Sequence, residues 1–236
     1  MYRLSVAQIQ KEMLAFSAKP LSARHISILK FSAFYETIMV QQETIISMIA
    51  QDLHIHTIYS ATDSVIVPEQ TIELVAAVRH ARVVGISDHF ENLVSGAFER
   101  YAGEVKNAGF KLGVEVDGHA WASEAADYPV EYYIVHCRDQ DADYKSLEHL
   151  VDTGRPVIIA HPTAFATNLN RVPPDCLIEI NNRYVWRSDW KPYYAPFVDR
   201  FRFVLGSDAH QPNWLGQAVA RYVATQLGVT EHLLFN

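Results

Sequence analysis

The chain has 236 residues, of which 49% are hydrophobic and 11% aromatic, so it can bury a full core and is not an intrinsically disordered protein. The net charge is −7 and the lysines and arginines are scattered, which disfavours a nucleic-acid partner. No stretch approaches the roughly 18 consecutive apolar residues of a membrane span, and the first residues lack the apolar core of a signal peptide. With only two cysteines, Cys137 and Cys176, the sequence predicts a soluble cytoplasmic protein without a disulfide framework.

Residues 1–50 have the apolar spacing of helices. Two helical segments are predicted, with Ser5 and Ser22 as N-caps and Pro20 between them. We expect this N-terminal helical extension either to cover one face of the main domain or to join two copies of the chain into a homo-oligomer.

From residue 51 onward, short apolar runs alternate with helical patterns. The predicted strands are 51–56, 83–88, 111–117, 131–137, 156–161, 176–181 and 202–208. Predicted helices include residues 190–201 and a last helix at 214–228. Strands that are apolar on both faces and alternate with helices indicate a parallel sheet with βαβ connections. The sequence therefore predicts an α/β barrel, closed or nearly closed, over residues 51–236, with an open doubly wound sheet as the alternative.

Polar side chains appear where each predicted strand ends. They are His54, His56, Asp88, His89, Glu115, Asp117, His136, His161, Asn181, Asn182, Asp208 and His210. In a parallel barrel these ends meet at the rim on which active sites are built. A buried polar group without a partner costs about 1–3 kcal/mol, so a group of histidines at this rim needs a binding partner that they share. A divalent cation provides one, because neutral imidazole and carboxylate are its usual ligands.

Each of these residues, taken alone, has a purely structural alternative. His136 could be a hydrogen-bonded core histidine, His161 could simply end a strand, and His89 could be an ion-paired loop residue. Glu115 is different, because a carboxylate between two valines of a central strand needs a cation. The joint pattern, rather than any single residue, predicts a metal site.

The spacing within strands adds a geometric expectation. Side chains two residues apart on a strand point to the same face. We therefore expect Asp52, His54 and His56 to share one face of the first strand. Asp208 and His210 should do the same if the last strand continues that far.

Seven motifs, in this order, resemble those of the PHP superfamily, named for polymerase and histidinol phosphatase: DLHIHT, GISDH, GVEV, IVH, IIAHP, IEINN and LGSDAHQP. The resemblance covers about residues 51–220 and is closest to the stand-alone phosphoesterase branch. The first motif alone is weak, since other metallohydrolases share it, whereas the ordered set is specific. The resemblance implies a distorted (β/α)7 TIM-like barrel that holds two or three divalent metal ions, commonly zinc, manganese or iron.

The resemblance also implies a set of ligands. Those of the first ion would be His54, His56, Glu115 and Asp208. Glu115 would bridge to a second ion, whose other ligands would be His136 and His161.

A third ion would be held by His89 and His210, together with one more ligand from the loop after the first strand. At the expected place this chain has Ala61 and Thr62, and Asp63 follows. Either the loop bulges so that Asp63 serves, which we expect, or the third site is weak.

The resemblance and the ligand types together predict a metal-dependent phosphoric monoester hydrolase, similar to histidinol phosphatase, that acts on a small phosphorylated metabolite. Metal ions would activate water and neutralise phosphoryl charge. Asp208 would either bind metal only or also accept a proton from that water. Arg138 and Arg183 are the candidates for binding the phosphate, with a surface role as the alternative for each.

Two other functions stay open. An amidohydrolase-type hydrolase of a non-phosphate substrate would also place two histidines on the first strand, although no lysine lies at a predicted strand end for the carboxylated lysine that such enzymes generally use. A non-catalytic PHP module acting through the N-terminal helices would be expected to lack ligands, whereas nearly all are present.

Overall fold

The computed structural model describes residues 49–94 and 96–235. The seven strands are β1 (Ile49–Asp52), β2 (Ala81–Ile86), β3 (Lys111–Val116), β4 (Tyr132–Val135), β5 (Val157–Ile159), β6 (Leu177–Asn181) and β7 (Arg202–Gly206). They form one sheet in chain order, and every neighbouring pair is parallel. The predicted N-terminal helices lie outside the described residues, except that Ile49 and Ala50 begin β1 and are not helical.

Helices connect the strands. Those described are α1 (Ile72–Val78), α2 (Phe90–Leu93), α3 (Phe98–Asn107), α4 (Ala122–Ala126), α5 (Asp141–Val151), α6 (Trp190–Tyr194) and α7 (Ala218–Leu227). The connection between β5 and β6 consists of turns. Among the helices of this part of the chain, none combines the length and apolar character needed to cross a bilayer.

Two predicted helices are shorter than the sequence pattern suggested. The helix expected over 190–201 ends at Tyr194 and tightens into a 3-10 turn over Ala195–Phe197, where Pro196 cannot donate a helical hydrogen bond. The helix expected over 214–228 begins only at Ala218. There the side chain of Gln217 turns inward and donates to the carbonyls of Gln51 and Leu205, both at 2.9 Å.

The barrel interior is filled by one apolar cluster, separate from the layer between the strands and the helices. Its buried members are Leu53, Tyr132, Ile134, Ile158, Ala160, Leu177 and Val204. Tyr132 occupies the space left by Gly113, where a Cβ would lie 2.2 Å from the tyrosine ring. The Tyr132 hydroxyl donates to the carbonyl of Leu53 at 2.7 Å. The interior is therefore packed.

The sheet nearly closes between β1 and β7, beyond the ends of both strands. The amide of His56 donates to the carbonyl of Ala209 at 2.9 Å, and the amide of Asp208 donates to the carbonyl of His54 at 2.8 Å. The prediction of an all-parallel, nearly closed α/β barrel of seven strands is thereby confirmed. The alternative, an open doubly wound sheet, is wrong. The architecture is compatible with a TIM-like barrel.

The gap at the opposite end of this seam is filled by the last described residues. The amide of His232 donates to the carbonyl of Phe203 at 2.7 Å, and Gln51 donates to the carbonyl of His232 at 2.7 Å. Leu234 and Phe235 pack against the interior cluster.

The first strand departs from the expected regular alternation. Leu53 belongs to the interior cluster whereas Ile55, two residues later, belongs to the outer layer. The expectation that Asp52, His54 and His56 share one face of the strand is therefore wrong for Asp52. Its carboxylate accepts instead from His80 Nε2 at 2.9 Å and from the amide of Ser207 at 3.0 Å. The alternation breaks where the chain, past β1, begins to pair with the extension of β7.

Candidate metal centre

The structure brings the predicted ligands to one rim of the barrel, at the carboxyl ends of the strands. They are His54, His56, Asp63, His89, Glu115, His136, His161, Asp208 and His210. All are buried except His89 and Asp63, which are partly buried.

Glu115 is the centre of this group. Its Oε1 lies 2.8 Å from His136 Nε2, 3.0 Å from His54 Nε2 and 3.4 Å from His161 Nε2. Its Oε2 lies 3.1 Å from His89 Nδ1 and 3.3 Å from His56 Nε2. One buried carboxylate therefore faces five imidazoles.

Three overlapping sets of ligand atoms are close enough to share an ion, with all atoms of a set within 4.8 Å of one another. They are His54, His56 and Asp208; His54, Glu115 and His161; and His56, His89 and His210. Because the sets share members, ions held by them would be neighbours.

The loop after β1 brings Asp63 to the third set. Its Oδ2 lies 2.9 Å from His210 Nε2 and 3.8 Å from His89 Nε2. Ala61 and Thr62 are exposed, and Thr62 exchanges hydrogen bonds with Asn92 on the surface. The geometry thus favours Asp63 as the loop residue that could complete this set.

Three of the six imidazoles have a side-chain hydrogen-bond partner on the side away from the centre. The Nδ1 atoms of His54, His56 and His136 lie 2.8 Å from Glu179 Oε1, 3.0 Å from Ser60 Oγ and 3.0 Å from Asp117 Oδ1, respectively. An Nδ1–H that donates to an outer oxygen leaves the Nε2 lone pair directed at the centre, which is how histidine ligands of metals are oriented.

These outer partners were not predicted from the sequence. Two of them have a signal: Asp117 lies at the end of a predicted strand, and Glu179 is a carboxylate inside the apolar run LIEIN, as unusual as Glu115 inside VEV. Ser60 also donates to Asp88 at 2.7 Å, and Asp88 accepts twice more from Thr57, through its amide at 2.6 Å and its hydroxyl at 2.7 Å. Asp88 therefore holds the loop that supports His56.

Burial and charge act against each other on the titratable groups. Burial alone would lower the pKa of His54, but the carboxylates of Glu179, Asp208 and Glu115 outweigh it and raise that pKa well above its usual value. Burial opposes protonation of His136 as well, yet Glu115 and Asp117 raise its pKa to about 9.

Two other members of the centre shift downward. Burial, together with the neighbouring His210, lowers the pKa of His56, so its imidazole is held neutral. Burial would raise the pKa of Glu115, but the surrounding imidazoles, led by His136, bring it well below its usual value. Ionised carboxylate and neutral imidazole are the donors that zinc, manganese and iron accept, so the residues present fit divalent metal ions.

Two of the candidate ligands lie on strained backbone. His161 has a φ of 26° and Asp208 a φ of 54°, in the region that costs a residue with a side chain about 1–3 kcal/mol. The amide of His161 donates to Glu179 Oε2 at 2.7 Å, and Asn181 Nδ2 donates to Asp208 Oδ2 at 3.2 Å. These hydrogen bonds hold the strained residues in place.

The two predicted phosphate-binding arginines differ in their surroundings. Arg183 Nη1 lies 3.6 Å from Asp208 Oδ1 and 3.2 Å from His210 Nδ1, so its charge faces the centre. Arg138 pairs with Asp117, the outer partner of His136, and its guanidinium lies over the ring of Phe165. Arg138 therefore has its charge already matched by a carboxylate.

No protein-family model matches this chain, and a search of curated proteins finds no match. The assignment of a metal centre therefore depends on the positions of this chain's own residues. Buried histidine, glutamate and aspartate groups at one rim of a parallel barrel could hold metal ions.

Proposed function

We propose that this protein is a metal-dependent phosphoric monoester hydrolase of the stand-alone PHP type. The observation that supports it is the overlap of three ligand sets, two of which share His54 and two of which share His56, beside the buried carboxylate of Glu115. Overlapping sites for divalent ions suit displacement at phosphorus, where the attacking and the leaving oxygen both need stabilisation.

The proposal assigns ligands to each ion, with Glu115 shared between the first two. The first would be held by His54, His56, Glu115 and Asp208, the second by Glu115, His136 and His161, and the third by Asp63, His89 and His210. The bound ions would lower the pKa of water and neutralise charge on the phosphoryl oxygens. Zinc, manganese and iron all accept these donors.

The chain's own residues would perform the remaining tasks. Asp208 Oδ2 is occupied by Asn181, whereas Oδ1 faces His54 and His56 at 3.7 Å, so Oδ1 is the atom we assign to accept a proton from the attacking water. Arg183, beside Asp208, would bind a phosphoryl oxygen. Arg138 would act mainly through Asp117, by holding His136 in its orientation.

Phosphate release from phenyl phosphate, after reconstitution with zinc, manganese or iron, tests the proposal. The double variant His54→Ala/His56→Ala should lose at least about 1,000-fold in turnover, because it removes two of the four ligands assigned to the first ion. His149→Ala is the matched control, since His149 is exposed on α5. Turnover in the double variant equal to that of the control would refute the proposal.

The same donors would also suit an amidohydrolase-type hydrolase, so amide and carboxylic ester substrates belong in the same assay. Turnover of these compounds without release of phosphate from phosphate esters would favour that alternative. Metal binding without any turnover would favour a non-catalytic module.

A further inference from the structure

We infer that the cavity beside the metal centre binds a second negatively charged group, carried by the alcohol portion of the phosphate ester; this inference rests on the proposed function. The cavity has a volume of about 610 Å³, and its lining includes Arg183, Arg187, Trp186 and Trp214. That volume is in the usual range for small-molecule sites.

The cavity shares a wall with the metal centre. Arg183 lines it and also lies 3.6 Å from Asp208 Oδ1. Trp214, which also lines the cavity, has its ring centroid 6.1 Å from that of His210. A substrate whose phosphoryl group reached the centre would therefore extend its alcohol portion past Arg183 into this space.

Positive charge in the cavity is concentrated around one aromatic ring. The guanidinium carbons of Arg183 and Arg187 lie 5.0 Å and 5.2 Å from the centroid of Tyr184. Tyr184 in turn packs against His161, with centroids 4.9 Å apart. An anion bound beside this ring would be attracted by both guanidiniums.

The lining offers no internal counter-charge. Among the described residues that line the cavity, none is acidic. Arg183 is assigned to the phosphoryl group, so Arg187 is the guanidinium that remains for the second anionic group. Arg187 ends the 3-10 turn Val185–Arg187, which follows β6 after three residues and is anchored by the buried Val185. A planar guanidinium on a fixed turn suits bidentate binding of a carboxylate or phosphate.

An apolar wall lies beside this charge. Trp186 is 62% exposed, an unusual fraction for a tryptophan, and its ring lies under the guanidinium of Arg187 at 5.0 Å. The alcohol portion would therefore combine an apolar or planar part with an anionic end. An amino alcohol phosphate such as histidinol phosphate is disfavoured, because its ammonium group would meet the two guanidiniums.

Three aryl phosphates of similar leaving-group acidity test the inference: phenyl phosphate, 4-carboxyphenyl phosphate and 4-(aminomethyl)phenyl phosphate. We expect kcat/KM for the carboxylate compound to exceed that for phenyl phosphate about 10-fold or more, and the ammonium compound to be the poorest. Arg187→Gln should reduce the advantage of the carboxylate to within about 2-fold, mainly through KM. Arg82→Gln, which removes an exposed arginine at the start of β2, is the control and should keep the advantage.

Binding provides a readout that does not need turnover. Calorimetric titration with 4-phosphonobenzoate and with phenylphosphonate should give the same preference for the carboxylate and the same loss of preference in Arg187→Gln. Equal kcat/KM for the three phosphates, or a carboxylate preference that survives in Arg187→Gln, would overturn the inference while leaving the proposed function in place. Failure to hydrolyse any of the three would overturn the proposed function, and this inference with it.

Discussion

Glu179 Oε1 lies 2.8 Å from Nδ1 of His54, while Nε2 on the other side of the same ring lies 3.0 Å from Glu115. Glu179 is buried in the middle of β6, and its second oxygen accepts from the amide of His161 and from Asn181. One carboxylate outside the centre therefore orients one candidate ligand by its ring and a second by its backbone.

Replacement of Glu179 by Gln should weaken metal binding about 10–100-fold while leaving the chain folded, because the amide can fill the space but cannot match the charge that orients His54. The measurement is a competition titration of zinc against a chelator of known affinity. Glu148→Gln, on the exposed side of α5, is the control. Equal zinc affinity in the two variants would mean that Glu179 does not position His54.

Gly206 makes room for Glu179. A Cβ at this position of β7 would lie 1.9 Å from Glu179 Oε1 and 3.0 Å from the Cβ of His54. Gly206→Ala should therefore lower the free energy of unfolding by about 1–3 kcal/mol.

Gly216→Ala is the matched control for that variant, since a Cβ there meets nothing within 4 Å. It should change the free energy of unfolding by less than about 0.5 kcal/mol. Urea denaturation followed by circular dichroism measures both values. Equal stability of the two variants would show that Glu179 can move away from β7 at no cost.

Metal binding should release protons, because two candidate ligands, His54 and His136, have raised pKa values and carry a proton in the ion-free protein. The pKa of His136 is raised to about 9, so its imidazole is protonated at neutral pH and must lose that proton to bind a metal ion. Metal affinity should therefore increase with pH up to about 9. Calorimetry of zinc binding at pH 7.5 in buffers of different ionisation enthalpy counts the protons released. A count of zero would contradict the charge balance described for the centre.

The same pKa shift predicts a pH dependence of folding in the ion-free protein. A raised pKa means that the folded state binds the proton more tightly than the unfolded chain, whose histidines titrate near 6.5. The contribution of His136 to stability is therefore fully present below about pH 6.5 and is lost as the pH rises through about 9. Urea denaturation of chelator-treated protein between pH 6 and 9.5 should show this loss, and His136→Gln should flatten the profile.

Asp63 should control the third ion alone. Its carboxylate contacts His210 and His89, so Asp63→Asn should remove or weaken one bound ion while the sets around His54 remain. Elemental analysis of the reconstituted variant should give about one ion fewer per chain than Thr62→Ala, the exposed neighbour. An unchanged metal content would mean that the loop does not supply a ligand.

The fold and the location of the centre could be predicted from the sequence because both depend on regular patterns. Apolar strands that alternate with helices predict a parallel barrel, and polar residues at strand ends then meet at one rim whatever the details of packing. Glu115 was recognised by the same reasoning, as a charge inside an apolar strand.

The outer partners of the histidines could not be assigned in this way, since they depend on which strand lies beside which ring. Glu179 and Glu115 have the same signal in the sequence, yet one faces Nδ1 of His54 and the other faces Nε2. The expectation for Asp52 is wrong because regular alternation fails where the chain, past β1, begins to pair with the extension of β7 as well. The alternation of apolar and polar residues in the sequence gives no sign of such a change in pairing.

The most direct test of the central claim is elemental analysis by mass spectrometry of the full chain, as purified and after reconstitution with zinc, manganese and iron. The account predicts two or three transition-metal ions per chain, and the loss of at least one of them, the first ion, in the double variant His54→Ala/His56→Ala. Folded protein that contains no such ions and takes up none on reconstitution would contradict it.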